Sequence, residues 1–296
     1  MNKRMESKRE GIITSSDYKR PSVKVAYGLL VLFLIICSMI ALLPILWAFL
    51  SGFKELSEYY SANPSLLPDK IECRKLVDIA GELKLGRSFI NSMIMFAGCW
   101  VGEIIVGGIA GYTISRLKPR GGKLLFTLML WTMMMPHTLT MVPMFMTWTD
   151  FPLLHINFQN TWTPLWTGSM ASIFNILLFK NFFDSIPNSY IEAAKIDGCS
   201  NIGIFARIVV PLSKPIISTV TVFVFNSTWN NFMGPFLYLK DPTMAPVALR
   251  LYNLRADWTE PEQMLASFVV LVPSIIVFML CSKQIMGNNM NVGVKG

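Results

Sequence analysis

Residues 24–54 read KVAYGLLVLFLIICSMIALLPILWAFLSGFK, and nothing between Lys24 and Lys54 is charged. A helix needs about 20 consecutive apolar residues, at about 1.5 Å each, to cross the hydrocarbon of a bilayer. The run exceeds that length and is read as a membrane span. A secretory leader would have a shorter apolar core and a small-residue cleavage site, whereas this run closes on Leu-Pro-Ile-Leu-Trp-Ala-Phe-Leu (43–50). The helix is therefore expected to be retained.

Working outward, the same signal recurs. No charge lies between Lys123 and Asp150, between Lys214 and Lys240, or between Glu262 and Lys283. The stretch from Ser88 to Ser115 holds one, Glu103, and the uncharged stretch from Phe151 to Phe179 turns apolar near Trp166. With 53% hydrophobic and 15% charged residues, the chain departs from soluble composition. The reading is an all-α polytopic membrane protein with six transmembrane helices, over 26–50, 89–113, 123–146, 161–182, 216–238 and 264–284. Residues 1–25 form an N-terminal arm, 26–284 a single transmembrane domain and 285–296 a tail.

The Lys and Arg bias between loops sets orientation. The arm, the second-to-third and fourth-to-fifth connections and the tail hold 17 of the 26 basic residues. Both termini are therefore placed in the cytoplasm. The net charge of +8 sits beside spans instead of forming a stripe on a soluble domain, so it anchors the chain in the membrane and does not point to nucleic acid. The five cysteines, at 37, 73, 99, 199 and 281, form no CxxC pair, and only Cys73 lies in a sizeable outer loop. Neither a disulfide framework nor a metal site is expected.

The connection between the fourth and fifth spans, about 185–215, reads SIPNSYIEAAKIDGCSNIGIFARIVVPLSKP. Pro187 followed by Asn188 suits a helix start, Glu192-Ala193-Ala194-Lys195 favours helix, and Asp197-Gly198 supplies a stop. A second short helix runs from about Ser200 to Val210 with Ile204, Phe205, Ile208 and Val209 on one side, ended by Pro211 and Pro215. A short helix held between proline-containing turns suits docking into a partner's groove, and Ala193 and Ala194 keep its surface thin.

This arrangement resembles the "EAA---G" loop of ABC importer permeases, and among them the carbohydrate-uptake class. The matching residues are Glu192, Ala193, Ala194, Asp197, Gly198, Phe205, Pro211 and Pro215. Asn91-Ser92, Ala110-Gly111-Tyr112 through Arg116 and Gly121, Thr228-Trp229-Asn230-Asn231-Phe232 and the closing Gly293-Val294-Lys295-Gly296 also look like that family. Lys180 stands where relatives often have arginine, and Val210 where leucine is common. The resemblance implies a coupling helix seated on a cytoplasmic ATPase dimer, with Glu192 as the anionic contact and Gly198 as the turn. It also implies a second homologous permease subunit, an extracytoplasmic solute-binding protein, import of a sugar or oligosaccharide by alternating access, and no catalysis or cofactor in this chain.

Glu103, mid-span, is costly enough to suggest function. It either lines the pathway or is buried by close packing at Gly98, Gly102, Gly107, Gly108 and Gly111, against a polar group of the partner subunit. Asn226, Trp229, Asn230 and Asn231 suit either sugar hydroxyls and ring faces or interhelical hydrogen bonds. Met133–Met135 before Pro136 read as packing at a kink. Residues 240–263 are long enough to reach a docked binding protein. The chain has two histidines, His137 and His155, and no HExxH, phosphate loop or GxSxG elbow. Two competitors stay open: a permease for a non-sugar solute, and an ion-coupled secondary transporter, which would usually carry more intramembrane ionisable groups than Glu103.

Overall fold

In hydrocarbon every backbone amide must be paired within the protein, so apolar runs of this length become helices. The computed structural model describes residues 21–62, 65–136, 138–152 and 154–289, and these are helical apart from loops and one isolated bridge between Phe151 and Ile156. Most of the N-terminal arm, His137 and the closing motif 293–296 lie outside the described residues.

Helix α1 (Pro21–Ser51) is followed by two short helices, α2 (Leu56–Tyr59) and α3 (Arg74–Glu82). Helix α4 (Leu85–Tyr112) continues through a π-helical turn, Thr113–Leu117. Then come α5 (Gly122–Met133), α6 (Thr138–Thr149), α7 (Thr163–Ser169), α8 (Ile173–Ser185) and α9 (Asn188–Ile196). Helix α10 (Asn201–Ile204), a π turn Phe205–Val209 and α11 (Val210–Leu212) form one stretch. The chain closes with α12 (Lys214–Trp229), α13 (Met233–Tyr238), a 3-10 turn Pro242–Met244, α14 (Val247–Leu254) and α15 (Glu260–Asn289).

Three helical stretches, Pro21–Ser51, Leu85–Leu117 and Glu260–Ile285, are long and apolar enough to cross a membrane. They contain the spans expected at 26–50, 89–113 and 264–284. The other three are interrupted. The 123–146 segment breaks between Met133 and Thr138, where Pro136 lacks an amide proton, and its halves lie at 101°. The 161–182 segment breaks at Met170–Ser172, and the Ser172 hydroxyl caps α8. The 216–238 segment stops at Trp229, and Asn231 accepts a hydrogen bond from Gly234 N at 3.0 Å to start α13. Among the described residues three helices are long and apolar enough to cross a membrane, or up to five if each bent pair is one span. The kink expected at Pro136 is a full break, and over 161–182 and 216–238 charge-free length had suggested continuous helices because it does not register the side-chain caps that stop a helix inside an apolar run.

Helix α4 is the hub, packed on α7, α8 and α12. Its glycines permit this. A Cβ at Gly98 would run into the Trp166 indole, one at Gly102 into Met170, and one at Gly111 would meet Phe179 Cβ at 2.7 Å and Lys180 N at 3.0 Å. The close packing expected at these glycines is thus satisfied by this chain's own α7 and α8. The main buried cluster fills the space behind, with Met95, Phe179, Phe183, Val220 and Val224 at its centre. Helix α1, by contrast, is exposed along nearly its whole length, touching α15 near its end through Phe49 on Phe268 (4.4 Å between ring centroids). A continuous apolar surface of that size is stable only under lipid or another subunit.

Candidate functional site

Helix α9 begins immediately after Pro187 and ends in a Schellman motif. Cys199 N donates to Ala194 O at 2.9 Å, Gly198 N donates to Lys195 O at 3.0 Å, and Gly198 sits at φ +79°, a conformation that favours glycine. The Ser200 hydroxyl then accepts from Gly203 N at 3.2 Å and opens α10. The stretch does not end at Pro211: it runs to Leu212, because the π turn at Phe205–Val209 widens the helix just where the proline ring would crowd the preceding turn. At Ser213 it meets α12 at 74°.

The segment is fixed to the body. Ile191, Ala194, Ile204 and Val209 belong to the main buried cluster, and the Phe205 ring lies on Tyr112 of α4 with centroids 4.9 Å apart. Ala194 therefore faces inward, which corrects its reading as part of a thinned outer surface; with Ile191 three residues earlier it lies on the inner stripe of α9. Glu192, Ala193, Asp197, Gly198 and Pro211 face outward. Around them Tyr190, Ile196 and Ile202 are 53%, 87% and 81% exposed. The outer side is an apolar knob beside two carboxylates, Glu192 and Asp197, and Glu192 has no hydrogen-bond or ion-pair partner among the described residues.

Arg116 ties this segment to α4. Its guanidinium donates to the Phe183 carbonyl, which also accepts from Ile186 N, to the Ile186 carbonyl just past the end of α8, and to Asn188 Oδ1, at 2.5 Å, at the start of α9. Next to it, Asp184 accepts from Ser115 Oγ at 2.5 Å and pairs with Lys180 at 2.8 Å. Burial pushes the Asp184 carboxyl up, but the hydrogen bonds from Lys180 and Ser115 and the charges of Lys180 and Arg116 outweigh it and hold the group below its ordinary value. The sequence marks Arg116 only as part of a family-like stretch, and the fold shows that its fork fits three acceptors.

The membrane-embedded candidates separate. Glu103 is 4% exposed and accepts from Asn175 Nδ2 of α8 inside the same chain, while Asn175 Oδ1 is left without a partner. Asn175, a single polar residue in an apolar run, was not singled out in the sequence. Trp229 is 2% exposed, stacks on Phe225 (5.1 Å, 16°) and donates Nε1 to Val270 O of α15 at 2.8 Å. Its indole therefore makes the interhelical bond, and its faces are covered. Asn231 is used in capping α13. Asn226 and Asn230 are exposed and bonded to one another at 2.9 Å. Asn230 borders an open cavity of about 370 Å³ with Phe232, Tyr252, Arg255 and Gln263.

The connection before α15 is a folded cover over the start of α4. Asn91 donates to Thr243 O (2.9 Å) and Ala245 O (3.1 Å), and Ser92 Oγ accepts from Val247 N (2.9 Å). Arg250 donates to Glu82 O (3.0 Å), and buried Trp258 donates to the Glu82 side chain. The Asn91-Ser92 pair thus gains a physical role: it tethers residues 243–247 to α4. Among the described residues no group of three His, Cys, Asp or Glu side chains is placed to hold a metal ion.

The family model described as "Binding-protein-dependent transport system inner membrane component" matches residues 103–288, from the Glu103 turn of α4 to the end of α15. The chain belongs to this family. This inner-membrane component is 28% identical over 268 residues, 86% of this chain and 90% of the relative, to the polygalacturonan/rhamnogalacturonan transport system permease protein YtcP of Bacillus subtilis. It is 26% identical to the diacetylchitobiose uptake system permease protein NgcG of Streptomyces coelicolor, covering 86% and 84%. It is 28% identical to the sn-glycerol-3-phosphate transport system permease protein UgpE of Yersinia pestis, covering 84% and 91%. Its fold is similar to that of a chain in the crystal structure of a bacterial ABC transporter involved in the import of the acidic polysaccharide alginate, with TM-score 0.74, 22% identity, and 89% and 98% of the two chains covered. Family membership and the apolar helices make it a membrane-embedded transport component.

Proposed function

We propose that this chain is the transmembrane permease subunit of an ATP-driven, binding-protein-dependent importer that moves a sugar or oligosaccharide into the cytoplasm by alternating access. The observation that carries the proposal is the α9–α11 segment: rigidly joined to α4 and α8, yet presenting Glu192 beside exposed Tyr190, Ala193, Ile196 and Ile202. A free loop would absorb a partner's movement, whereas one packed into the core transmits it. Closure of an ATPase dimer would then rock this subunit against a second, homologous permease subunit.

In this reading α9 is the coupling helix, with Glu192, Ala193, Asp197, Gly198 and Pro211 at or beside the ATPase contact and Ala194 and Phe205 holding it from behind. Six crossings are made by α1, α4, the α5–α6 pair, the α7–α8 pair, α12–α13 and α15. Both termini are cytoplasmic, and residues 240–263 face the solute-binding protein. Asn226 and Asn230 remain pathway candidates, and Glu103, Trp229 and Asn231 support the frame. The sugar assignment is supported by the names of the Bacillus and Streptomyces relatives. A non-sugar solute is the second reading, favoured by the relative named for sn-glycerol-3-phosphate.

The test is purification of the chain in mild detergent. An ATPase subunit should accompany it and be lost with Glu192→Arg or Gly198→Val. A wild-type chain that purifies alone and moves solute without ATP would establish a secondary transporter instead.

A further inference from the structure

At the foot of α4 and α5 lies a cavity of about 790 Å³ lined by Arg116, Lys118, Lys123 and Lys180 together with Asp184 and Phe126. Four cations face one carboxylate. Asp184 is committed to Lys180 and Ser115, and Arg116 is committed to the α8 carbonyls and Asn188. Lys118 and Lys123 have no ion pair or side-chain hydrogen bond among the described residues, so the cavity carries uncompensated positive charge. The apolar part of the same cavity wall is made by Ile114, Pro119 and Phe126. Positive charge at the bottom and an open apolar wall above it match an amphiphile with an anionic head.

We infer that this cavity is a binding site for an anionic phospholipid, whose phosphate is held by Lys118 and Lys123 while its acyl chains leave against Ile114, Pro119 and Phe126. A free phosphate would be held by the same lysines but has no use for the apolar wall of Ile114, Pro119 and Phe126; a zwitterionic lipid would use the wall but carries its own cation. The volume is many times the roughly 30 Å³ that one liquid water occupies, so a headgroup fits. Basic pockets between helices at the cytoplasmic face favour such heads. The inference goes beyond the importer reading and rests on it only for placing residues 113–123 at the cytoplasmic boundary.

Native mass spectrometry of the full chain would decide, with phosphatidylglycerol, phosphatidylcholine and inorganic phosphate as probes. Wild-type protein should retain one phosphatidylglycerol and no phosphatidylcholine. The double variant Lys118→Gln/Lys123→Gln should lose it by about tenfold, Lys118→Arg/Lys123→Arg should keep it, and Lys70→Gln, on a distant loop, should not matter. Equal retention of both lipids, or retention unchanged in the double Gln variant, would overturn the inference. So would displacement by millimolar inorganic phosphate, which would mark a soluble-anion site, or carbodiimide cross-links from these lysines to ATPase carboxylates in place of lipid. Loss of ATPase co-purification in the Glu192 test bears on the importer reading and leaves this readout unaffected.

Discussion

Arg116, at the end of the α4 stretch, donates to Asn188 Oδ1 across 2.5 Å, joining the most buried helix of the protein to the first residue of α9. The same guanidinium closes the end of α8. Removing it takes a charged donor from the Phe183 carbonyl and leaves the Ile186 carbonyl without one, at about 1–3 kcal/mol. Arg116→Ala should therefore lower the thermal midpoint in detergent and uncouple ATP hydrolysis from uptake. Arg116→Lys should restore only part of either, because a point charge cannot make the forked contact. An unchanged midpoint in Arg116→Ala would remove the clamp from the account.

The glycines of α4 should differ sharply in tolerance. An alanine methyl at Gly111 falls 2.7 Å from Phe179 Cβ and 3.0 Å from a backbone nitrogen, so α8 must shift, at about 1–3 kcal/mol. At Gly108 its nearest neighbour is 3.9 Å away, an ordinary contact. Gly111→Ala should unfold at lower denaturant or temperature than wild type, and Gly108→Ala should not. Equal sensitivity would mean that α4 and α8 are not so closely packed.

Glu103→Gln should preserve stability, since the amide still accepts from Asn175 Nδ2 and adds a donor for the unpartnered Asn175 Oδ1. Glu103→Ala should cost about 1–3 kcal/mol by leaving Asn175 Nδ2 without its acceptor as well. Uptake by Glu103→Gln should persist. Its abolition at normal stability would show that the carboxylate itself handles solute or protons.

Trp229→Phe should cost about 1 kcal/mol, keeping the stack on Phe225 but losing the bond to Val270, and should leave the solute KM unchanged. Asn230→Ala should behave oppositely, with stability held and KM raised. Uptake kinetics beside thermal melts separate the two.

Asp184 gives a pH signature. Its carboxyl titrates lower in the folded protein than its ordinary value of 3.8, so its contribution is complete above that value and is lost as pH falls through the depressed one. Asp184→Asn should lower the thermal midpoint at pH 7, and the gap from wild type should close below about pH 4. A gap constant down to pH 2 would mean that the Lys180 and Ser115 contacts do not depend on the charge.

The sequence alone determined the membrane class, the all-helical build and the limits of α9. Each is a local matter: charge-free length against bilayer thickness, and a proline start and glycine stop around Glu192. It also marked the α4 glycines as a packing face, since small residues along one helix have few other uses. What tertiary structure decided is which side each residue faces and what it meets. Glu103 found Asn175 72 residues away, Trp229 found Val270, Arg116 found Ile186 and Asn188, and Ala194 turned inward while Ala193 stayed out. Such pairings depend on how separate helices dock, and on caps and prolines that break a span, neither of which leaves a mark in the hydropathy of the run itself.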